Sequence, residues 1–194
     1  VSCADLQAAL LRRILLSIVV ACVAVYSHAD PIEYQHSYAF LATPRYPADF
    51  AHFDFVNPDA PKGGRIRVPQ MGNWDSFNMV SEKGRIAAGI GFWSRDAILL
   101  WDTLLVPSLD EPATHYGRLA EGVAVAKDGA WVAFKLREGA RWHDGTPITV
   151  ADVVFTFQVC QEDASPTIRT SFKPFTIEVT GPREFRFHVE PHLR

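Results

Sequence analysis

Two methionines and three cysteines in 194 residues leave this chain little sulfur chemistry. Cys3 and Cys22 fall within the first thirty residues. A chain without that segment keeps Cys160 alone and closes no internal disulfide. Nor can cysteine then build a metal site. Cys160 lies in VFTFQVCQE, where a buried small hydrophobe is the expected role. Basic charge is scarce as well: 19 Lys and Arg against 22 Asp and Glu give a net charge of −3 with no basic block. That excludes the electrostatic footprint of a nucleic-acid binder. The seven histidines are scattered without metal-ligand spacing, which argues against a secreted metalloenzyme. Long hydrophobic runs are missing too. ILLSIVVACVAVY, Ile14 to Tyr26, has about 13 residues, short of the ~20 that span a bilayer.

What is present is a chain that is 48% hydrophobic, enough for one ordinary domain of roughly 100 to 200 residues. Arg12 and Arg13 precede the uncharged run, and Ser27 and Ala29 occupy the small-residue positions of a cleavage site. Together they predict a secretory signal peptide, residues 1–29, cut after Ala29. A membrane anchor and a buried helix are the alternatives. VVAC is a loose lipoprotein box that would attach lipid to Cys22, but the apolar run continues past that cysteine. The arginine pair also fits twin-arginine export, and residues 1–11, with Asp5 and no initiator Met, fit an overextended start.

Residues 30–64 read as an irregular arm. Pro44, Pro47, Pro58 and Pro61 interrupt any period, and Tyr38, Phe40, Tyr46, Phe50, Phe53 and Phe55 are too many rings for a solvated linker. The arm is therefore expected to pack on a body. His52 and Asp54 make only a weak metal pattern. Ile66 and Val68 then alternate with Arg65 and Arg67 as a strand, followed by the turn formers of NWDSFNMV. In SRDAILLWDTLL the spacing of Ile98, Leu99, Trp101, Leu104 and Leu105 predicts a helix capped by Ser94 or Asp96. Val123 and Val125, a turn at Lys127 to Gly129, and Trp131 to Leu136 predict an antiparallel hairpin. Ile177 and Val179, turning through Gly181 and Pro182 into Phe185, Phe187 and Val189, predict another.

The most chemical-looking stretch is FKLREGARWHDGTPITVADVVFTF, which holds His143 beside Asp144. Asp144-Gly145 reads as a tight turn, because glycine accepts positive φ. Thr149, three residues before Asp152, reads as the capping box of a helix whose apolar face is Val150, Val153, Val154 and Phe157. A base and its orienting acid must converge, whereas neighbours at a turn diverge. The pair is therefore expected to serve the scaffold.

LREGARWHDGTPITVADVVFTF resembles the signature of the family 5 extracellular solute-binding proteins, the oligopeptide, dipeptide and nickel receptors of bacterial ATP-binding-cassette importers. Val150 before Ala151 is a minor departure. SYAFLATPRYPADFAHFDFVNPDAPKGG is similar to the arm of the subgroup that includes the microcin C and murein-peptide receptors. LLWDTLL and LAEGVAVAKDGAWVAFKLREGARW fit the following segments, so the resemblance covers about residues 37 to 190. It implies a mixed α/β (α+β) fold, mostly antiparallel and mixed sheet with short helices, forming the N-terminal part of the first lobe of a two-lobed clamp. Residues 65–194 would be an incomplete lobe, with the second lobe and hinge return absent. The implied function is periplasmic capture of oligopeptides or peptide-like compounds for an ABC permease and its ATPase, by a monomer, without catalysis, cofactor or metal. A nickel or other small-solute receptor of the same fold, or a secreted hydrolase, is the alternative. The resemblance also puts Asn73, Trp74 and Asp75 on one wall of the ligand cleft. Trp74 would offer an apolar face and Asn73 a hydrogen bond, while Phe77 packs inward. A Trp74 that fills the lobe interior is the structural alternative.

Overall fold

A hairpin of alternating residues anchors the fold. The computed structural model describes residues 32–65, 67, 71–86 and 100–191. All of these but Ile32 fall in one unit, Glu33–Arg194. The strands are β1 (Ser37–Ala39), β2 (Leu105–Pro107), β3 (Thr114–Gly117), β4 (Ala120–Val125), β5 (Trp131–Leu136), β6 (Phe175–Val179) and β7 (Glu184–Val189). Between β5 and β6 lie helices α1 (Val150–Glu162) and α2 (Pro166–Phe172). The strands form two sheets, ordered β1-β3-β2 and β4-β5-β7-β6, with every pairing antiparallel. Both expected hairpins are present, β4–β5 and β6–β7. In the first, Gly129 takes φ +70° and donates to the Ala126 carbonyl at 2.9 Å, a bend that a side chain would strain.

The pleat sorts the four-stranded sheet into two faces. One carries Val123, Phe134, Leu136 and Phe185, and packs with Val150 of α1 into the core. Ring contacts run through it: Phe134 to Phe185 at 5.6 Å, Phe185 to Phe187 at 5.5 Å and Phe157 to Phe187 at 5.2 Å. Farther along, Cys160, Ala164 and Ile168 form a second buried cluster with Val80 and Phe172. Burial raises the Cys160 thiol above its ordinary pKa, so it is held as the small hydrophobe expected. On the other face Tyr34 lies against Gly122, where an added Cβ would come within 2.8 Å of the Tyr34 Cβ.

The predicted helix through Leu104 and Leu105 needs correction. Leu105 to Pro107 is a strand, and residues 100–104 are turn, bend and irregular chain; Ser94, Asp96, Ile98 and Leu99 lie outside the described residues. Pro107 offers no N–H and biases Val106 to extended backbone. The Leu105 and Val106 backbones instead pair with Gly117 and Tyr116. Leu104 and Leu105 both pack on the core. Ile66 and Val68 of the expected strand, and the signal-peptide segment, lie outside the described residues. No helix among the described residues is long and apolar enough to cross a membrane.

The arm is not irregular throughout: Ser37–Ala39 pair with β3 as strand β1 of the three-stranded sheet, and the rest docks on that sheet through Tyr46. Its buried ring meets Phe50 and Phe53 at 5.2 Å and Tyr116 at 5.6 Å. Backbone groups follow the rings: the Tyr46 N–H donates to the Tyr116 hydroxyl at 3.2 Å, and the Arg45 N–H to Glu111 at 2.8 Å. The Tyr46 hydroxyl donates to Asp110. Not every ring is covered, since Phe40 and Phe55 stay exposed.

Helix α1 starts as the spacing predicts. The Thr149 hydroxyl and N–H both donate to Asp152 Oδ2 at 2.7 Å, and Asp152 N–H points back at Thr149 Oγ1. Those bonds from Thr149 hold the Asp152 carboxyl below its ordinary range. A depressed folded pKa contributes stability above the unfolded value, which is lost as pH falls through the folded value. Thr149→Ala is accordingly expected to cost about 1 kcal/mol at neutral pH. The gap should narrow below about pH 4, as urea melts at both pH values would record.

Candidate functional site

Residues 71–86 form a loop closed on itself by one arginine. Asp75 N–H and Ser76 N–H donate to the Arg85 carbonyl at 3.0 and 3.1 Å. In return the Arg85 N–H donates to Asp75 Oδ1 at 2.6 Å, and its guanidinium donates to Asn73 Oδ1. A parallel bridge from Ser76 to Ile86 completes the closure. Between these ends the Asn78 side chain accepts from Val80 and Ser81 N–H at 2.9 and 3.0 Å, the local bonding that makes Asn and Ser turn formers. The loop is tied to the helices by the Ser81–Ala164 bridge and by Ser165 N–H donating to the Val80 carbonyl at 3.2 Å.

Gly84 makes the closure possible. It takes φ +87°, and a Cβ there would stand 2.7 Å from Asp75 Oδ1. Gly84→Ala is expected to cost roughly 1–3 kcal/mol through backbone strain and displacement of that carboxylate. Amide exchange at Asp75, Ser76 and Arg85 should quicken while core amides keep their protection. Unchanged exchange at those three positions would contradict this closure.

The three residues expected in the site divide into two roles. Asn73 and Asp75 turn to Arg85, so the Asn73 carbonyl and the Asp75 carboxylate serve the loop itself. Asn73 is exposed. Trp74 stands out of the loop, 55% exposed, with its ring centroid 4.5 Å from that of Phe77. Phe77 is 52% exposed, which corrects the expectation that it packs inward. Polar turn residues Ser76 and Asn78 flank it, and its partner is Trp74. The outcome is a two-ring apolar surface on a loop closed by Arg85 and tied to the helical segment through Val80 and Ser81. Arg85 was missed in the sequence, where ten positions separate it from Asp75 and no motif links them.

The other flagged residues have local employment. Asp144 Oδ1 accepts from Thr146 N–H at 2.9 Å and from its hydroxyl at 2.7 Å. These two bonds hold the Asp144 carboxyl below its ordinary range. Gly145 takes φ +88° in the turn, and exposed His143 precedes it. His52 lies 3.1 Å from the Phe53 carbonyl, and Asp54 pairs with Arg45. Among the described residues no group of three His, Cys, Asp or Glu could hold a metal ion.

Comparison with known proteins adds lineage to this geometry. The family described as bacterial extracellular solute-binding proteins, family 5 Middle, matches residues 114–192. Uncharacterized protein y4wM of Sinorhizobium fredii is 42% identical over 147 residues, which is 75% of this chain and 21% of that protein. Peptidoglycan-binding protein YepA of Agrobacterium fabrum is 38% identical over 154 residues, 78% of this chain and 25% of the relative. Probable peptide-binding protein YejA of the same organism is 40% identical over 144 residues, 74% and 22% of the two chains. The chain thus spans about a quarter or less of the length of these relatives. Their matches extend over most of this chain, well beyond the segment that the family description covers. Residues 114–192 belong to the family 5 bacterial extracellular solute-binding proteins.

Proposed function

We propose that this chain serves in the substrate-binding component of an ABC importer. That component captures oligopeptides or peptide-like compounds in the periplasm and delivers them to an inner-membrane permease and its ATPase. The observation that carries this reading is the exposed Trp74–Phe77 ring pair on a loop closed by Arg85. Rings give apolar contact to varied side chains at low entropic cost. The Asn73 amide can donate to a peptide carbonyl. Peptide-binding and peptidoglycan-binding names among the relatives favour the same ligand class. Capture needs no catalysis, and His143 and Asp144 have roles in a turn. Export with cleavage after Ala29, leaving Asp30 first, belongs to this reading.

Titration calorimetry of the complete gene product with oligopeptides, and separately with nickel ions, tests it. Trp74→Ala is expected to weaken peptide binding by about tenfold or more with the fold intact, in line with aromatic anchors elsewhere. His143→Ala should leave affinity within a few-fold. The 194-residue chain alone is expected to bind more weakly than a protein of the relatives' length, because a clamp needs two jaws. Nickel binding without peptide binding would replace this reading by a small-solute receptor. Loss of all binding in folded His143→Ala would move the site to the turn.

A further inference from the structure

The arm and the turn between β2 and β3 grip each other through charge as well as through rings. Asp110 in that turn accepts from the Tyr46 hydroxyl and from the Arg45 guanidinium, the latter at 3.4 Å, and its other oxygen accepts from the Ser108 hydroxyl at 2.5 Å. Arg45 is shared: its second guanidinium nitrogen bonds Asp54, whose own N–H donates to the Tyr46 hydroxyl at 3.0 Å. Glu111 accepts the Arg45 N–H at 2.8 Å and the Tyr116 hydroxyl at 2.7 Å. His36, just before β1, has Nε2 2.9 Å from the Tyr46 carbonyl. A carbonyl accepts only from an N–H, so His36 carries a proton on Nε2 and the bond survives protonation of its other nitrogen.

The turn is strained where the arm meets it. Ala113 takes φ +52°, and its carbonyl accepts the Phe40 N–H at 3.2 Å. A non-glycine residue keeps such a conformation only where its surroundings over-determine it. Arm contacts from Phe40, Arg45 and Tyr46 reach this turn between Asp110 and Ala113. Ring packing and the His36 bond do not depend on carboxylate charge, whereas hydrogen bonds to an ionised carboxylate are roughly twice as strong as neutral ones. We infer that Asp110 is an acid-operated catch on the arm: its carboxylate closes the polar part of the seat, and its protonation leaves the rings to carry more of the hold.

The groups around Asp110 fix the sign. Arg45, Tyr46 and Asp54 face it from the arm, Ser108 and Glu111 lie in its own turn, and Tyr116 of β3 bonds Glu111 and the Tyr46 N–H. Asp54 and Glu111 bring like charge to the same partners. The hydroxyls of Ser108 and Tyr46 nevertheless hold the Asp110 carboxyl below its ordinary range, so the bonds outweigh that repulsion. A depressed folded pKa contributes grip above the unfolded value of about 3.9, and that grip is lost as pH falls through the folded value. The catch is therefore closed at neutral pH and opens in acid.

Amide hydrogen exchange of the chain from about pH 6 to about pH 2 tests the inference, each rate being divided by that of an unstructured peptide at the same pH. Protection at the Tyr46 and Asp54 amides is expected to fall at least about fivefold in one step below about pH 4, while β5 and β7 amides keep theirs. Asp110→Asn carries no charge at any pH, so it should show the lowered protection already at about pH 6 and no step. Ser108→Ala removes a bond that favours the ionised carboxylate and should move the step to higher pH. It decides the matter if circular dichroism finds the asparagine variant misfolded. No step at Tyr46 and Asp54, a step shared with β5 and β7, a step that survives in folded Asp110→Asn, or a Ser108→Ala step at the parent's pH would each overturn the inference.

Discussion

Phe185→Ala is expected to bring the chain to the edge of unfolding. Phe185 is 0% exposed and sits where β7 meets β5, its ring 5.6 Å from Phe134 and 5.5 Å from Phe187. Removing such a ring costs about 3–5 kcal/mol, the transfer term plus the cavity left behind. Domains of this kind have only about 5–15 kcal/mol in total. The neighbours cannot collapse into the gap, because Phe134 and Phe187 belong to strands whose registers are fixed on both sides of it. Phe185→Leu keeps most of the volume and should cost about 1–2 kcal/mol. Urea titrations of the two variants followed by circular dichroism separate the outcomes. A Phe185→Ala midpoint close to that of the parent would mean that the sheet is not packed as described.

Tyr116→Ala should release the arm, with a cost again near 3–5 kcal/mol. Tyr116 is 1% exposed and collects the rings of His36, Tyr46, Phe50 and Phe53 at 5.3 to 6.0 Å. Its hydroxyl adds a polar latch, donating to Glu111 at 2.7 Å and accepting from the Tyr46 N–H. Tyr116→Phe keeps the ring cluster and leaves that N–H and carboxylate short of a partner, for about 1–3 kcal/mol. The two variants thus weigh the rings against the latch. Limited trypsinolysis reads the arm directly, because Arg45 and Lys62 are exposed on it. Cleavage there should quicken strongly in the alanine variant and mildly in the phenylalanine variant. Equal rates in all three proteins would mean that Tyr116 does not hold the arm. Burial raises the Tyr116 pKa, so this contribution is fully present below about pH 10. It is lost only as pH rises through the elevated folded value.

The sequence alone determined the features whose causes are local. Thr149 and Asp152 are three residues apart, and one helical turn brings them together whatever the rest of the chain does. Asp144-Gly145 makes its own turn, since the positive φ and the side-chain bonds to Thr146 lie within three residues. The two hairpins follow from alternation on either side of a turn, and an unpaired cysteine in an apolar stretch has few places to go but inward. The site was legible only as a position: Asn73, Trp74 and Asp75 came from resemblance, and turn-forming composition gave them a loop.

Tertiary structure decided the rest, where the deciding partner is distant in the chain. Leu104 and Leu105 carry a helix-like spacing, yet Leu105 and Val106 pair with Gly117 and Tyr116, and a burial pattern cannot say which backbone meets it. Arg85 stiffens the loop from ten positions away, using backbone as well as side chain, and leaves no trace in residue type. Tyr46 and Tyr116, 70 residues apart, fix the arm through one another. Periodicity and capping report free energies set within a turn or two of chain, whereas ring packing and loop closure depend on which distant segments share space.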